Sequence, residues 1–153
     1  MTLDRTLLIH LPPPVVALGL LALAYVLEAG LPGLRLLPES PSGGWVWIGA
    51  GLTLSVASVI EFLRIRTTLV PSGTPRQLIT LGAYLWTRNP IYLGFLTALI
   101  GVALTHGTLP FFLVPWLFFL IVNGVHIPYE EGQLETRFGE AFRRYRTRVR
   151  RWL

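Results

Sequence analysis

The sequence predicts an all-α polytopic membrane protein, with about four transmembrane helices and a C-terminal amphipathic helix lying in the interface. Three observations carry this expectation. The 153-residue chain is 52% hydrophobic and only 14% charged, whereas a soluble domain carries about 25% charged residues. The apolar residues fall in four long runs separated by short polar breaks. The arginines gather in the breaks that four crossings would place on one side of a bilayer. A chain of this length is expected to form a single membrane domain over 1–153.

The elements follow in order. The first run, about 11–31, is "LPPPVVALGLLALAYVLEAGL", and the second, 45–63, is "WVWIGAGLTLSVASVIEFL". The fourth, 109–127, is "LPFFLVPWLFFLIVNGVHI". Each meets the need for roughly 20 apolar residues. The third is shorter and spans only if it is taken as 89–106, from Asn89-Pro90 to His106. A cleaved signal peptide, with Arg5 as its basic region and Ala22–Ala24 as its processing site, is the competing account of the first run. Pro12–Pro14 and the continuing apolar stretch favour an anchor.

The turn after the third span, "THGTLP", is short enough to force an antiparallel hairpin with the fourth. Pro115 should bend the fourth span. The loop 64–88 is broken by Pro71, Gly73, Pro75 and Gly82, yet it is apolar enough to pack on the protein or the membrane face. In the tail, 128–153, Leu134, Phe138, Ala141, Phe142, Tyr145, Val149 and Trp152 recur at helical spacing on an arginine-rich segment. That pattern predicts one interfacial helix with Trp152 at headgroup depth.

All thirteen cationic side chains are arginine. With both termini cytoplasmic, every arginine except Arg35 lies on the cytoplasmic side. The net charge of +5 then reflects membrane orientation and attraction to anionic headgroups, and no nucleic-acid partner is expected.

Absence of cysteine excludes disulfides and thiolate metal sites. His10, His106 and His126 share no helical face, so no metal site is expected. Gly49-Ala50-Gly51 reads as close helix packing rather than a phosphate loop. What remains is polar chemistry at one membrane face. Arg88, Asn89 and Tyr92 open the third span, while Asn123, His126, Glu130 and Glu131 close the fourth. The hairpin should bring the two groups together. Taken singly they read as a snorkelling arginine, an interfacial tyrosine and helix-capping acids. Taken together, converging on the open end of the hairpin, they are at least as well read as a ligand site.

Those residues also carry a resemblance. "GAYLWTRNPIYLG" at Gly82–Gly94 resembles the Gly-Pro-Tyr-Arg-x-x-Arg-His/Asn-Pro-x-Tyr-x-Gly motif of the isoprenylcysteine carboxyl methyltransferase and phospholipid methyltransferase group. "EEGQLETRFGEAFRRYRTRVRRW" at Glu130–Trp152 resembles the group's ending, down to the Val-x-Arg of Val149 and Arg151. "TTLVP" at Thr67–Pro71 resembles the start of its loop. Ala83, Leu85 and Phe142 depart from the pattern, and Asn89 is the variant found in bacterial-type members.

The resemblance implies an S-adenosylmethionine-dependent enzyme of a bacterial inner membrane. Its acceptor would be a lipid or isoprenoid-type molecule drawn from the bilayer. It assigns Arg88, Asn89, Tyr92, Glu130 and Glu131 to the cofactor pocket, with Tyr84 and Tyr145 as further wall candidates. No dedicated base stands out; Arg88, Glu131 and His126 are the catalytic candidates. Two alternatives stay open: a nicotinamide-dependent (NADPH) membrane reductase of related architecture, and a non-catalytic membrane protein that binds a lipid or partner.

Overall fold

The computed structural model describes residues 9–30, 35–38, 41–65 and 77–153. The first described helix, α1, is Pro13–Gly30, and α2 is Pro41–Ile65. A 3-10 turn, Gly82–Leu85, precedes α3, Pro90–His106. Helix α4, Leu109–Ile121, runs through a π-helical turn, Val122–His126, into α5, Ile127–Phe138. Helix α6, Glu140–Arg148, completes the chain. The "TTLVP" stretch, Leu31, and Arg5, Arg66 and Arg76 lie outside the described residues.

Three helical runs are long and apolar enough to cross a membrane: Pro13–Gly30, Ser42–Arg64 and Leu109–Phe138. Helix α3 is apolar but shorter, at 17 residues. In the third run the apolar part ends at Ile127 and rises roughly 28 Å, close to a bilayer's hydrocarbon thickness. From Pro128 onward the sequence is polar, so Glu130 and Glu131 stand beyond the spanning part.

The expected hairpin is present. Gly107 ends α3 with φ 71°, and Thr108 and Pro110 start α4. A side chain at Gly107 would be strained by that φ and would also collide with the Leu37 carbonyl. The Gly107 carbonyl in turn accepts from the Leu36 and Leu37 amides at 2.8 and 3.0 Å, docking the 35–38 segment over the turn. At the same end Glu28 accepts from Thr108 at 2.9 Å and approaches His106, whose ring stacks on Phe111.

Two kinds of packing hold the helices. Helices α1, α3 and α4 share an apolar core built on Val16, Ala24, Leu99, Phe111, Val114 and Phe118. Helices α2 and α3 pack through small residues. A side chain on Gly44, Gly51, Gly94 or Gly101 would run into the backbone of the facing helix. Ser55 Oγ also crosses that seam to donate to the Ile91 carbonyl at 3.1 Å. In a bilayer, where lipid tails are as apolar as leucine, such backbone proximity is a main source of helix association. The pair Gly49-Ala50-Gly51 is thereby divided: Gly51 packs, whereas Gly49 faces open space.

The tail departs from the expectation of one continuous interfacial helix. Gly139, at φ 49° and ψ −117°, splits it into α5 and α6. The turn folds the stripe inward: Phe142, Tyr145 and Val149 pack with Leu78, Leu134 and Phe138, while Ala141 is exposed. Trp152 turns toward the bundle. It packs against the core beside Phe119, ring centroids 5.2 Å apart, and its indole N–H donates to Asn123 at 3.1 Å. Within the loop, Ile79 and Tyr84 are buried, but Leu81 and Trp86 are exposed.

Replacing Gly94 by leucine should destabilise the detergent-solubilised protein by about 3 kcal/mol or more, because the facing backbone cannot yield. Gly49→Ala should stay within about 0.5 kcal/mol of the parent. Thermal melting of both variants checks the seam.

Candidate functional site

The cofactor-pocket candidates converge. A cavity of about 700 Å³ opens beside the start of α3, and Tyr84, Arg88, Asn89, Tyr92, Glu130, Glu131 and Tyr145 all line it. Five elements bring them there. The 3-10 turn supplies Tyr84, the 86–89 segment Arg88 and Asn89, α3 Tyr92, α5 the two glutamates, and α6 Tyr145. Pro90 at the first turn of α3 explains that abrupt start, since it lacks an N–H to satisfy. Apart from Ser55, Gln77 and Gln133 the remainder of the wall is apolar and includes Leu52, Val56, Val59, Ile60 and Leu63 of α2 together with Pro12–Pro14.

The two adjacent glutamates have different surroundings. Glu131 is held by two arginines. Its Oε1 accepts from Arg88 Nη2 at 2.8 Å, and its Oε2 from Arg151 Nη2 at 2.6 Å. Burial would raise its pKa, but the hydrogen bonds and charges of Arg151 and Arg88 outweigh burial and hold the carboxyl below its usual range. Glu130 has one partner among the described residues, the Tyr92 hydroxyl, which donates to Oε1 at 2.6 Å. Burial pushes its pKa up to about 7, against that hydrogen bond and with a further push from Glu131.

Arg88 and Asn89 are largely spent on the protein itself. Arg88 donates through Nε and Nη2 to Glu131, and through Nη1 to the carbonyls of Arg146 and Val149. Of the five N–H groups on a guanidinium, one remains on Nη2. Asn89 Nδ2 and Thr87 Oγ1 both donate to the Arg151 carbonyl, at 2.9 and 3.0 Å. The Arg88 amide donates to the Arg150 carbonyl at 2.9 Å. Residues 146–152 therefore form an arm zipped along the mouth of α3.

The tyrosines differ as well. Tyr145 OH donates to the Tyr84 carbonyl at 2.7 Å, and burial pushes its pKa up to about 12. Burial, then Glu130, raises that of Tyr84. The Tyr84 ring meets Phe62 edge-on at 5.7 Å. His126, the remaining catalytic candidate, is buried behind Tyr92 and does not line the cavity. Its Nε2 lies 3.0 Å from the Leu11 carbonyl, and Nδ1 has no hydrogen-bond partner among the described residues. The carbonyl can only accept, so Nε2 carries the proton in that contact. Leu85, the departure from the family motif, is exposed and stands away from the cavity.

Sequence reasoning attached no role to Arg151 or Thr87. The Val-x-Arg ending pointed at Arg151 without saying what it holds. The α2 wall carries no motif, because any apolar residue of suitable size can line it.

Chemically, the cavity offers one half-buried acid without an arginine partner, aromatic faces, a few remaining amide and guanidinium hydrogen-bonding groups, and an apolar flank. That suits an amphiphilic acceptor beside a polar, cationic ligand.

The comparisons with known proteins agree with this setting. The sequence profile of the phospholipid methyltransferase family matches residues 42–141. An uncharacterized protein of Haemophilus influenzae (strain ATCC 51907 / DSM 11121 / KW20 / Rd) is 40% identical over 63 residues, covering 41% of this chain and 100% of that protein. No solved structure matches the chain. With the profile covering most of its length and its helices long and apolar enough to span a bilayer, the chain belongs to the phospholipid methyltransferase family of membrane proteins.

Proposed function

We propose that this protein is an S-adenosylmethionine-dependent methyltransferase whose acceptor is a lipid or isoprenoid-type molecule drawn from the bilayer. One observation carries the proposal: a single cavity combines the acid of Glu130 and the Tyr84 and Tyr92 side chains with an apolar wall on α2, a membrane-spanning helix.

The residues fit the cofactor. About 700 Å³ lies within the usual 300–1,000 Å³ of small-molecule sites. Glu130 would hold the cationic amino group. The faces of Tyr84 and Tyr92 would take the adenine or the sulfonium. The remaining Nη2 hydrogen of Arg88 and the Asn89 amide would meet the carboxylate and the base. When bound, S-adenosylmethionine supplies a methyl group already activated on a cationic sulfur. The protein's own work is then positioning and exclusion of water rather than nucleophilic or metal chemistry. The apolar α2 wall keeps water from the reacting end and accepts a hydrocarbon chain.

The purified protein in detergent should bind S-adenosylhomocysteine in isothermal titration and transfer label from S-adenosylmethionine to a lipid extract. Binding of NADPH with no response to either sulfur compound would contradict the proposal.

Glu130 gives a pH signature. With its pKa near 7, the carboxyl is protonated below that pH and carboxylate above it. The ammonium group of the ligand needs the carboxylate, so S-adenosylhomocysteine affinity should fall by up to about tenfold per unit as pH drops below 7 and level off above it. The groups facing Glu130 are Tyr92, Tyr84 and Glu131. The tyrosines stay protonated across this range, and Glu131 stays charged under its two arginines. Glu130→Gln should flatten the profile and weaken binding about tenfold or more at pH 8; a profile unchanged by that substitution would place the amine elsewhere.

A further inference from the structure

We propose that the C-terminal arm is a latch that sets the geometry of the cavity, and that Arg151 is its key positioning residue. On this account Arg88 and Glu131 shape the site mainly by holding the arm, and Glu130 is the glutamate that meets the ligand. The inference rests on the cofactor assignment made above and adds residues outside the pocket.

The observations are geometric. Two elements carry the cavity's polar side: the start of α3, with Tyr92, and the start of α5, with Glu130. The arm ties them together. On the α3 side it accepts five contacts, one from the Arg88 amide, two from Arg88 Nη1 and one each from Thr87 Oγ1 and Asn89 Nδ2, at 2.6–3.2 Å. On the α5 side Arg151 donates to both oxygens of Glu131, at 3.3 and 2.6 Å. Arg151 Nη1 also reaches Asn123 Oδ1 in the π-helical turn at 3.3 Å, the oxygen that Trp152 shares. Side chain and carbonyl of Arg151 thus bind α5 and the α3 mouth at once.

Two consequences follow. Four of the five guanidinium hydrogens of Arg88 are taken, two by the arm and two by Glu131, and both oxygens of Glu131 accept from Arg151, whereas Glu130 Oε2 has no hydrogen bond among the described residues. The 2.6 Å contact between Tyr92 and Glu130 depends on the spacing of α3 and α5, which the direct Arg88–Glu131 pair and the latch would maintain together. Loosening the arm should misplace Glu130 without removing any group that faces the ligand.

The test is isothermal titration of S-adenosylhomocysteine into the full-length protein in detergent, with the melting temperature of the ligand-free protein measured alongside. Arg151→Ala should weaken binding about tenfold, and Arg151→Lys should recover part of that loss because it keeps a single charged donor. Arg144→Ala, on the exposed side of α6, should bind as the wild type does. A merely structural Arg151 would lower the melting temperature and the active fraction while leaving the dissociation constant of the folded protein unchanged; that result would overturn the proposal. If Arg151→Ala does not fold, Thr87→Val, which removes one donor from the same carbonyl, decides: weaker binding by about threefold supports the latch, and unchanged binding overturns it. Wild-type protein that binds no S-adenosylhomocysteine would refute the cofactor assignment itself, whereas wild-type binding unaffected by these variants refutes the latch alone.

Discussion

The ion-paired carboxylate of Glu131, held between Arg88 and Arg151, is the interaction on which the polar side of this molecule depends. Arg88 and Glu131 are about nine-tenths buried, with side-chain exposures of 10% and 13%. Removing one partner of such a pair leaves an uncompensated charge and costs about 3–5 kcal/mol. The arrangement joins parts of the chain distant in sequence: residues 87–89 before α3, the start of α5, and the arm after α6. It also frees the neighbouring Glu130. The adjacent acids divide their work because one faces arginines and the other faces Tyr92 and the cavity.

The apolar half of the protein serves the same end by different physics. The α3–α4 hairpin returns the chain across the bundle, so the polar end of α3 and that of α5 meet. The glycine seam brings α2 against α3, and the side of α2 near that seam forms the apolar wall of the cavity. The proposed reaction would need such a junction, since a polar methyl donor and a lipid acceptor prefer different solvents. Here they would meet where a spanning helix borders a half-buried acid.

Much of this was legible in the sequence because the deciding signals are local. Apolar run lengths gave the spans, and "THGTLP" gave the hairpin. The hairpin placed Arg88, Asn89 and Tyr92 opposite Glu130 and Glu131. Other features were hidden for physical reasons. Backbone carbonyls are alike at every residue, so nothing in "RTRVRRW" tells which of them Arg88 and Asn89 will use. The arm's arginines looked like headgroup contacts because charge alone cannot separate a solvated arginine from one clasping a buried acid. Gly139 is one glycine among fifteen, and its positive φ appears only in three dimensions. His126 sat near the site in sequence, but the π-helical turn aims it behind Tyr92 toward Leu11.

The most direct measurement is an experimental structure of the protein with S-adenosylhomocysteine bound. The account predicts the ligand's amino group on Glu130 and its rings against Tyr84 or Tyr92, with Glu131 still between Arg88 and Arg151 and the arm in place. A ligand amine on Glu131, or a carboxylate chelated by an Arg88 that has released the Val149 carbonyl, would contradict it.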